Sequence, residues 1–187
     1  MLNQFYDRFI FTNNLHYRNF NFYLMDIPLI IMPTELINAV LADGNEELHR
    51  SIYYNVKDAT KAQLMKQFNF NFGMPADKQL KLIEQFFTGS GWGKVETVNI
   101  SDEEKHAIVT VTNSPFAKHL KGRSDYEIDH FIRGVLAGVY SAYFREDMEC
   151  VETKCQCVEA PVCEFVVKKK QEFDFERDEV KKQLRMV

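Results

Sequence analysis

All four cysteines of this 187-residue chain lie between Cys150 and Cys163, in the run ECVETKCQCVEAPVCEF. Cysteines this crowded, with none elsewhere, cannot staple a fold together generally. They point to one local chemical event. The run alternates apolar and polar residues on both sides of Glu159–Pro161, which predicts two strands, Met148 to Cys157 and Val162 to Lys169, joined by a turn. Such a hairpin brings Cys155 and Cys163 side by side. Thiolate sulfur and carboxylate oxygen together suit zinc, a borderline-soft ion that prefers four ligands. Glu152 and Cys155 are three apart, so plain alternation would set them on opposite faces. A common site therefore requires a bulge or turn at Lys154. Cys150 and Cys157 are competing ligands, and the start of the preceding helix offers Asp129 and His130 as the fourth. The candidate metal set is thus Glu152, Cys155 and Cys163 with Asp129 or His130. Buried free thiols, or a disulfide such as Cys157–Cys163, remain alternative readings of the same spacing.

The environment decides among them. No apolar stretch approaches the ~18 residues that a membrane span needs. The first residues, MLNQFYDRFIFTNN, lack the cationic start and apolar run of a signal peptide. A cytoplasmic location is expected, where thiols stay reduced and clustered cysteines favour metal. A net charge of −4 argues against a nucleic-acid surface. The basic run Lys168–Lys170 is closely followed by acidic residues and reads as a solvated strand end.

The length suits a single domain, 1–187. Its parts are an N-terminal helix and hairpin (1–45), a core (46–169) and a charged tail (170–187). Leu2, Phe5, Tyr6, Phe9 and Ile10 fall at helical spacing. NFNFYLMDIPLIIMP predicts a two-stranded hairpin broken near Asp26–Pro28, and Thr34 begins a helix through Leu41. The longest helical pattern runs from Glu46 to about Phe72, with Leu48, Ile52, Val56, Ala59 and Ala62 as its inward stripe. Pro75 opens another helix to Phe87, with Leu80, Ile83, Phe86 and Phe87 inward. GSGWG then turns the chain into strands Lys94–Ile100 and Lys105–Thr112. A loop leads to the helix Tyr126–Phe144, whose apolar stripe is Ile128, Ile132, Val135, Val139 and Tyr143. The tail from Gln171 reads as helical and exposed. This order predicts an α+β fold, a mainly antiparallel sheet with helices packed on one face.

Gly134, Gly138 and Ala142 repeat every four residues in GVLAGVYSAYF. Glycine costs about 1 kcal/mol in a helix interior, so close approach of another element, or room for a ligand, must offset it. Sixteen Phe and eight Tyr beside one Trp supply an aromatic core or a greasy pocket. Candidate pocket walls are Trp92, Val109, Val111, Phe116, Phe131 and Val135. No phosphate loop, nucleophile elbow or HExxH helix is present, and the five histidines are scattered, so the chain is not read as an enzyme. His106, at a strand start, is the one that alternation turns toward a pocket.

The runs DHFIRGVLAGVYSAYF, CVETKC and APVCEF resemble the 4-vinyl reductase domain family, hydrocarbon-binding and aromatic-sensing domains. TGSGWGKVETVNI and VTVTNSPFA resemble the strands and loop that precede the family's helix. The resemblance spans about Glu46 to Lys169 and is most specific from Asn113 to Phe165. It implies a fold similar to the ligand-binding domains of NO-signalling and Golgi-transport proteins, a homodimer, and a hydrophobic small-molecule partner. It also implies zinc beside the pocket, held by a helix-start Cys, Glu-x-x-Cys and a further Cys. Glu152, Cys155 and Cys163 match that pattern, whereas Asp129 stands where the helix-start Cys would be, with His130 adjacent. The expected function is a small-molecule-binding sensor or carrier with structural zinc. The alternatives are a protein-interaction scaffold with a filled core, or an accessory protein or enzyme of tetrapyrrole vinyl-group modification.

Overall fold

Every second residue of one central strand, Ala107, Val109 and Val111, is buried, and the residues between them are partly exposed. That alternation is the mark of a sheet with one face against a core. The computed structural model describes residues 15–24, 27–41, 45–66, 75–120 and 129–184. The sheet that holds this strand is antiparallel, in the order β4 (Lys94–Ser101), β5 (His106–Thr112), β7 (Cys163–Lys168), β6 (Glu149–Lys154). The architecture is α+β, as expected.

The N-terminal strands form a separate three-stranded antiparallel meander, β1 (Leu15–Arg18), β2 (Asn21–Leu24) and β3 (Ile27–Leu29). The sequence predicts only two strands there, without β1. The turn after β1, Asn19–Phe20, takes positive φ at both residues (49° and 64°), as a two-residue type I′ hairpin requires. Neither residue is glycine, so no composition cue marks it. Pro28 is tolerated because β3 is an edge strand.

Four longer helices follow the meander. Helix α1 is Thr34–Leu41. Helix α2 is Glu46–Ala59, capped by the Asn45 side chain and continued by a π turn, Thr60–Leu64. Helix α3 is Ala76–Gly89, preceded by Pro75 at its N-cap. After β5 comes the short α4, Pro115–Leu120, where the sequence predicts a loop, then α5, His130–Phe144. A last helix, α6 (Asp178–Leu184), packs on β6 and buries Val180 and Leu184. The tail is helical as expected, but it is docked rather than exposed. The Gln183 side chain explains why: its amide donates to Glu152 O and its oxygen accepts from Glu152 N, both at 2.8 Å. It thus pairs with the edge of β6 as another strand would. The helix predicted over residues 2–11, the end of the 46–72 pattern and Ile128 lie outside the described residues.

The face that α2 buries departs from the expectation. Leu48, Ile52 and Val56 are only partly buried, while Ala59 and Ala62 are exposed. His49, Tyr53, Lys57 and Thr60 are buried instead, on a face rotated by one residue. The partner is α5, and its glycines set the distance. A Cβ on Gly134 would lie 2.7 Å from Tyr53 O, and one on Gly138 only 2.6 Å from both Lys57 O and Thr60 Cβ. Close helix approach, not a ligand, occupies the small-residue stripe. The polar face of α2 is satisfied across that seam. Lys57 Nζ donates to Glu149 Oε1 at 2.9 Å and Asp147 Oδ2 at 3.1 Å, and the Tyr53 hydroxyl donates to Glu149 Oε2 at 2.5 Å.

Candidate metal centre and ligand cavity

Strand β6 pairs with β7 so that Glu152 faces Phe165 and Lys154 faces Glu164, leaving Thr153 as the extra residue of a bulge. The bulge lies one residue before the position that the spacing required. It brings Glu152 and Cys155 to the same side. A 3-10 turn, Gln156–Val158, and Glu159 in the left-handed region (φ 70°) then return the chain to Cys163. Asp129 arrives from α5. It occupies the N-cap of that helix, yet its side chain does not cap. Its Oδ2 instead accepts from the Ser114 hydroxyl at 3.2 Å, and its backbone N–H donates to Glu152 Oε2 at 3.4 Å.

The result is a four-donor cluster. One ligand atom from each of Asp129, Glu152, Cys155 and Cys163 lies within 4.8 Å of the other three, and all four residues are buried. Asp129 Oδ1 and Glu152 Oε1 accept no hydrogen bond of ordinary geometry among the described residues. Backbone amides serve the sulfurs. Cys157 N donates to Cys155 Sγ at 3.4 Å and Gln156 N to Cys163 Sγ at 3.3 Å, an arrangement that stabilises thiolates.

Electrostatics show what the cluster lacks. Burial, then the Cys155 charge, pushes Asp129 up to about 7. Burial, then Asp129, holds Glu152 well above the carboxylate range. The thiols of Cys157 and Cys163 donate to Cys155 and draw it down to about 3. That contact and burial raise Cys157 and Cys163 themselves. Convergent buried acids that suppress one another's ionisation are stabilised together by one cation. A divalent ion with two sulfur and two oxygen ligands fits this donor set, and filling all four positions with protein makes it structural.

All four cysteines are free thiols. Cys157 Sγ lies 3.0 Å from Cys155 Sγ, beside the cluster but outside the four-donor set. Cys150 sits elsewhere in β6, opposite Val167. His130 is also outside the set. Its Nδ1 lies 3.0 Å from Arg133 Nη1, and its ring stacks on His49 at 4.3 Å. Burial and the Arg133 charge draw it down to about 2, which keeps it neutral. Arg133, 1% exposed, also donates to Cys150 O and Gln183 O, so the pair braces α5 against β6 and α6.

A small cavity lies farther along α5, between that helix, α3, β4 and β5. It encloses about 250 Å³ of empty space, counting the part open to solvent. Val109 is the one predicted pocket residue that lines it. Trp92 packs against Phe116 and Phe131 at 5.7 and 5.4 Å, while Val111 and Val135 are buried core. His106 is half-buried at the start of β5. Sequence reasoning missed Glu84, Thr97 and Tyr140, which supply the cavity's polar side. Leu80, Ile83 and Phe87 match the inward stripe expected of α3, and their spacing was the available signal.

Residues 107–169 match the 4-vinyl reductase domain family, over the stretch from β5 to β7 that carries the cluster. No curated protein matches the chain. Among solved structures, the phenol-responsive sensory domain of the transcription activator PoxR, determined with phenol, superposes with a TM-score of 0.73. The identity is 14%, and the alignment covers 98% of both chains. The fold is therefore shared along nearly the whole length. A vinyl-4-reductase family protein from Methanocaldococcus jannaschii aligns with a TM-score of 0.47 and 16% identity, over 75% of this chain and 96% of the other. Trafficking protein particle complex subunit 3 from Naegleria fowleri, bound covalently to palmitic acid, aligns with a TM-score of 0.46 and 16% identity. That alignment covers 72% of this chain and 86% of the subunit.

Proposed function

We propose that this chain is a small-molecule-binding sensory domain, stabilised by a structural zinc ion and acting as a homodimer. The observation that carries the reading is the double use of α5. Its N-cap residue Asp129 joins the four-donor cluster, and Leu136, Val139 and Tyr140 of the same helix line the cavity. A helix clamped at its start by a metal site and contacted along its length by a ligand is a device for converting occupancy into a helix displacement.

The family match and the fold shared with a phenol-responsive domain support a hydrophobic, aromatic-sized ligand. Asp129, Glu152, Cys155 and Cys163 would hold the zinc, whose contribution is to cross-link α5 to the β6–β7 hairpin and neutralise the cluster. The ligand set has a carboxylate where the resemblance implied a further sulfur, and the unpartnered oxygen of Asp129 supports that substitution. A second copy of the chain is the proposed partner. Ile30, Ile31, Leu36 and Val40 support it, because they leave an apolar patch exposed where β3 leads into α1.

Native mass spectrometry of protein purified without added metal tests the reading. One zinc per chain on a dimer, with extra mass that leaves on denaturation, is the expected result. A metal-free, ligand-free monomer would overturn it in favour of a scaffold with a filled core.

A further inference from the structure

The cavity against α5 is apolar on every side but one. Leu80, Ile83, Phe87, Val95 and Val139 are among its apolar walls, and the remaining side is Glu84, Thr97 and Tyr140. Glu84 and Tyr140 are 5% and 1% exposed. Glu84 Oε1 accepts from Thr97 N at 2.9 Å and from the Thr97 hydroxyl, while Oε2 accepts from Lys81 Nζ at 2.9 Å. A carboxylate so surrounded only accepts. Thr97 has one hydroxyl proton and gives it to Glu84. The 2.7 Å contact between Thr97 Oγ1 and Tyr140 Oη must then use the proton of Tyr140. Burial holds the Tyr140 hydroxyl well above its usual range, so that proton is retained. Both hydroxyl donors are committed. What the wall still offers a guest is the lone pairs of Tyr140 Oη.

We propose that the Tyr140–Thr97–Glu84 chain selects the ligand's head group. The cavity takes an apolar molecule bearing a hydroxyl or amino donor, which hydrogen-bonds to Tyr140 Oη, and disfavours an ether or carboxylate of the same shape. This rests on the reading of the chain as a small-molecule-binding domain and narrows its ligand class. An ether sets lone pair against lone pair, which leaves a buried acceptor unsatisfied. A carboxylate adds its charge to that of Glu84 in a poorly solvated site. The cavity volume limits the body to about a single ring or a short chain, below the usual range for larger ligands. Tyr140 is the contact, and Thr97 and Glu84 are positioning residues that fix the direction of its proton.

The protein carries its own reporter. Trp92 is the sole tryptophan, and its ring lies 4.9 Å from that of Phe87, a cavity wall. Phenol, methoxybenzene and benzoate would be titrated into the full chain as purified, read by Trp92 fluorescence and by calorimetry. Phenol should bind about tenfold tighter than methoxybenzene, the order of one hydrogen bond, and benzoate should bind weakest. Tyr140→Phe should abolish the preference for phenol. Thr97→Val frees the Tyr140 proton to point at the guest, so methoxybenzene should gain relative to phenol. Equal binding of phenol and methoxybenzene to the unaltered protein would overturn the head-group assignment and leave the binding-domain reading intact. So would an unchanged phenol preference in both variants. Failure of all three compounds to bind would overturn both.

Discussion

The backbone N–H of Asp129 donates to Glu152 Oε2 across 23 residues of sequence, and each side chain keeps its other oxygen buried without a partner of ordinary geometry. Two carboxylates held this close, next to two thiols, strain any state that has no cation. The same contact ties the start of α5 to the cysteine hairpin.

Removal of a metal ligand tests that tie most directly. Cys155→Ser should lose the bound ion and lower stability by ~3 kcal/mol or more, the scale for stripping one partner from a buried charged cluster. Metal content by mass spectrometry and denaturant melts check it. Melting that is unchanged by full chelation would contradict a structural ion.

The metal-free protein should lose stability as pH rises from about 4 to 7. Asp129 is raised to about 7 when folded, whereas an unfolded aspartate ionises near 4. Between those values the folded state holds a proton that the unfolded state has released, so raising the pH favours unfolding. Metal binding requires ionised donors, so the metal-loaded protein should show the opposite trend across the same window. Thermal melts at pH 5 and pH 7.5, with and without chelator, separate the two.

Gly138→Ala places a methyl group 2.6 Å from Lys57 O and from Thr60 Cβ. One contact is backbone, so α2 and α5 must move apart, at a cost of about 1–3 kcal/mol. An exposed control such as Asn55→Ala on α2 should cost far less. Urea melts of the two variants give the comparison.

Lys57 and Glu149 form an ion pair with side chains 4% and 5% exposed. Lys57→Met should cost about 3–5 kcal/mol, because it leaves the Glu149 carboxylate buried with only the Tyr53 hydroxyl and distant charges. Pairing it with Glu149→Gln should recover part of the loss. A double-mutant cycle measures the coupling.

Much of the site was legible because it is local. Glu152, Cys155 and Cys163 belong to one hairpin, and the spacing itself demanded the bulge that β6 contains at Thr153. The order of strands and helices after residue 75 followed from apolar periodicity and from the turn residues between elements. Strand β1 escaped that reading because Asn19 and Phe20 form a tight turn without glycine. The tail reads as exposed because its charges outnumber Val180 and Leu184, the two residues that dock it.

Other features belong to tertiary structure alone. Periodicity reads apolarity, so it assigns α2 the stripe of Leu48, Ile52 and Val56. Burial followed contact instead: the glycines of α5 admit the backbone of α2, and Glu149, 92 residues away, satisfies Lys57. Sequence names Asp129 and His130 equally as helix-start donors. Only packing turned Asp129 into the cluster and gave His130 to Arg133. The polar side of the cavity arose the same way, from Glu84, Thr97 and Tyr140 on three elements that meet only after folding. Sequence by itself determines what lies within a few residues along the chain, because backbone geometry carries that information. Which polar groups find partners across distant elements is decided by the packed core.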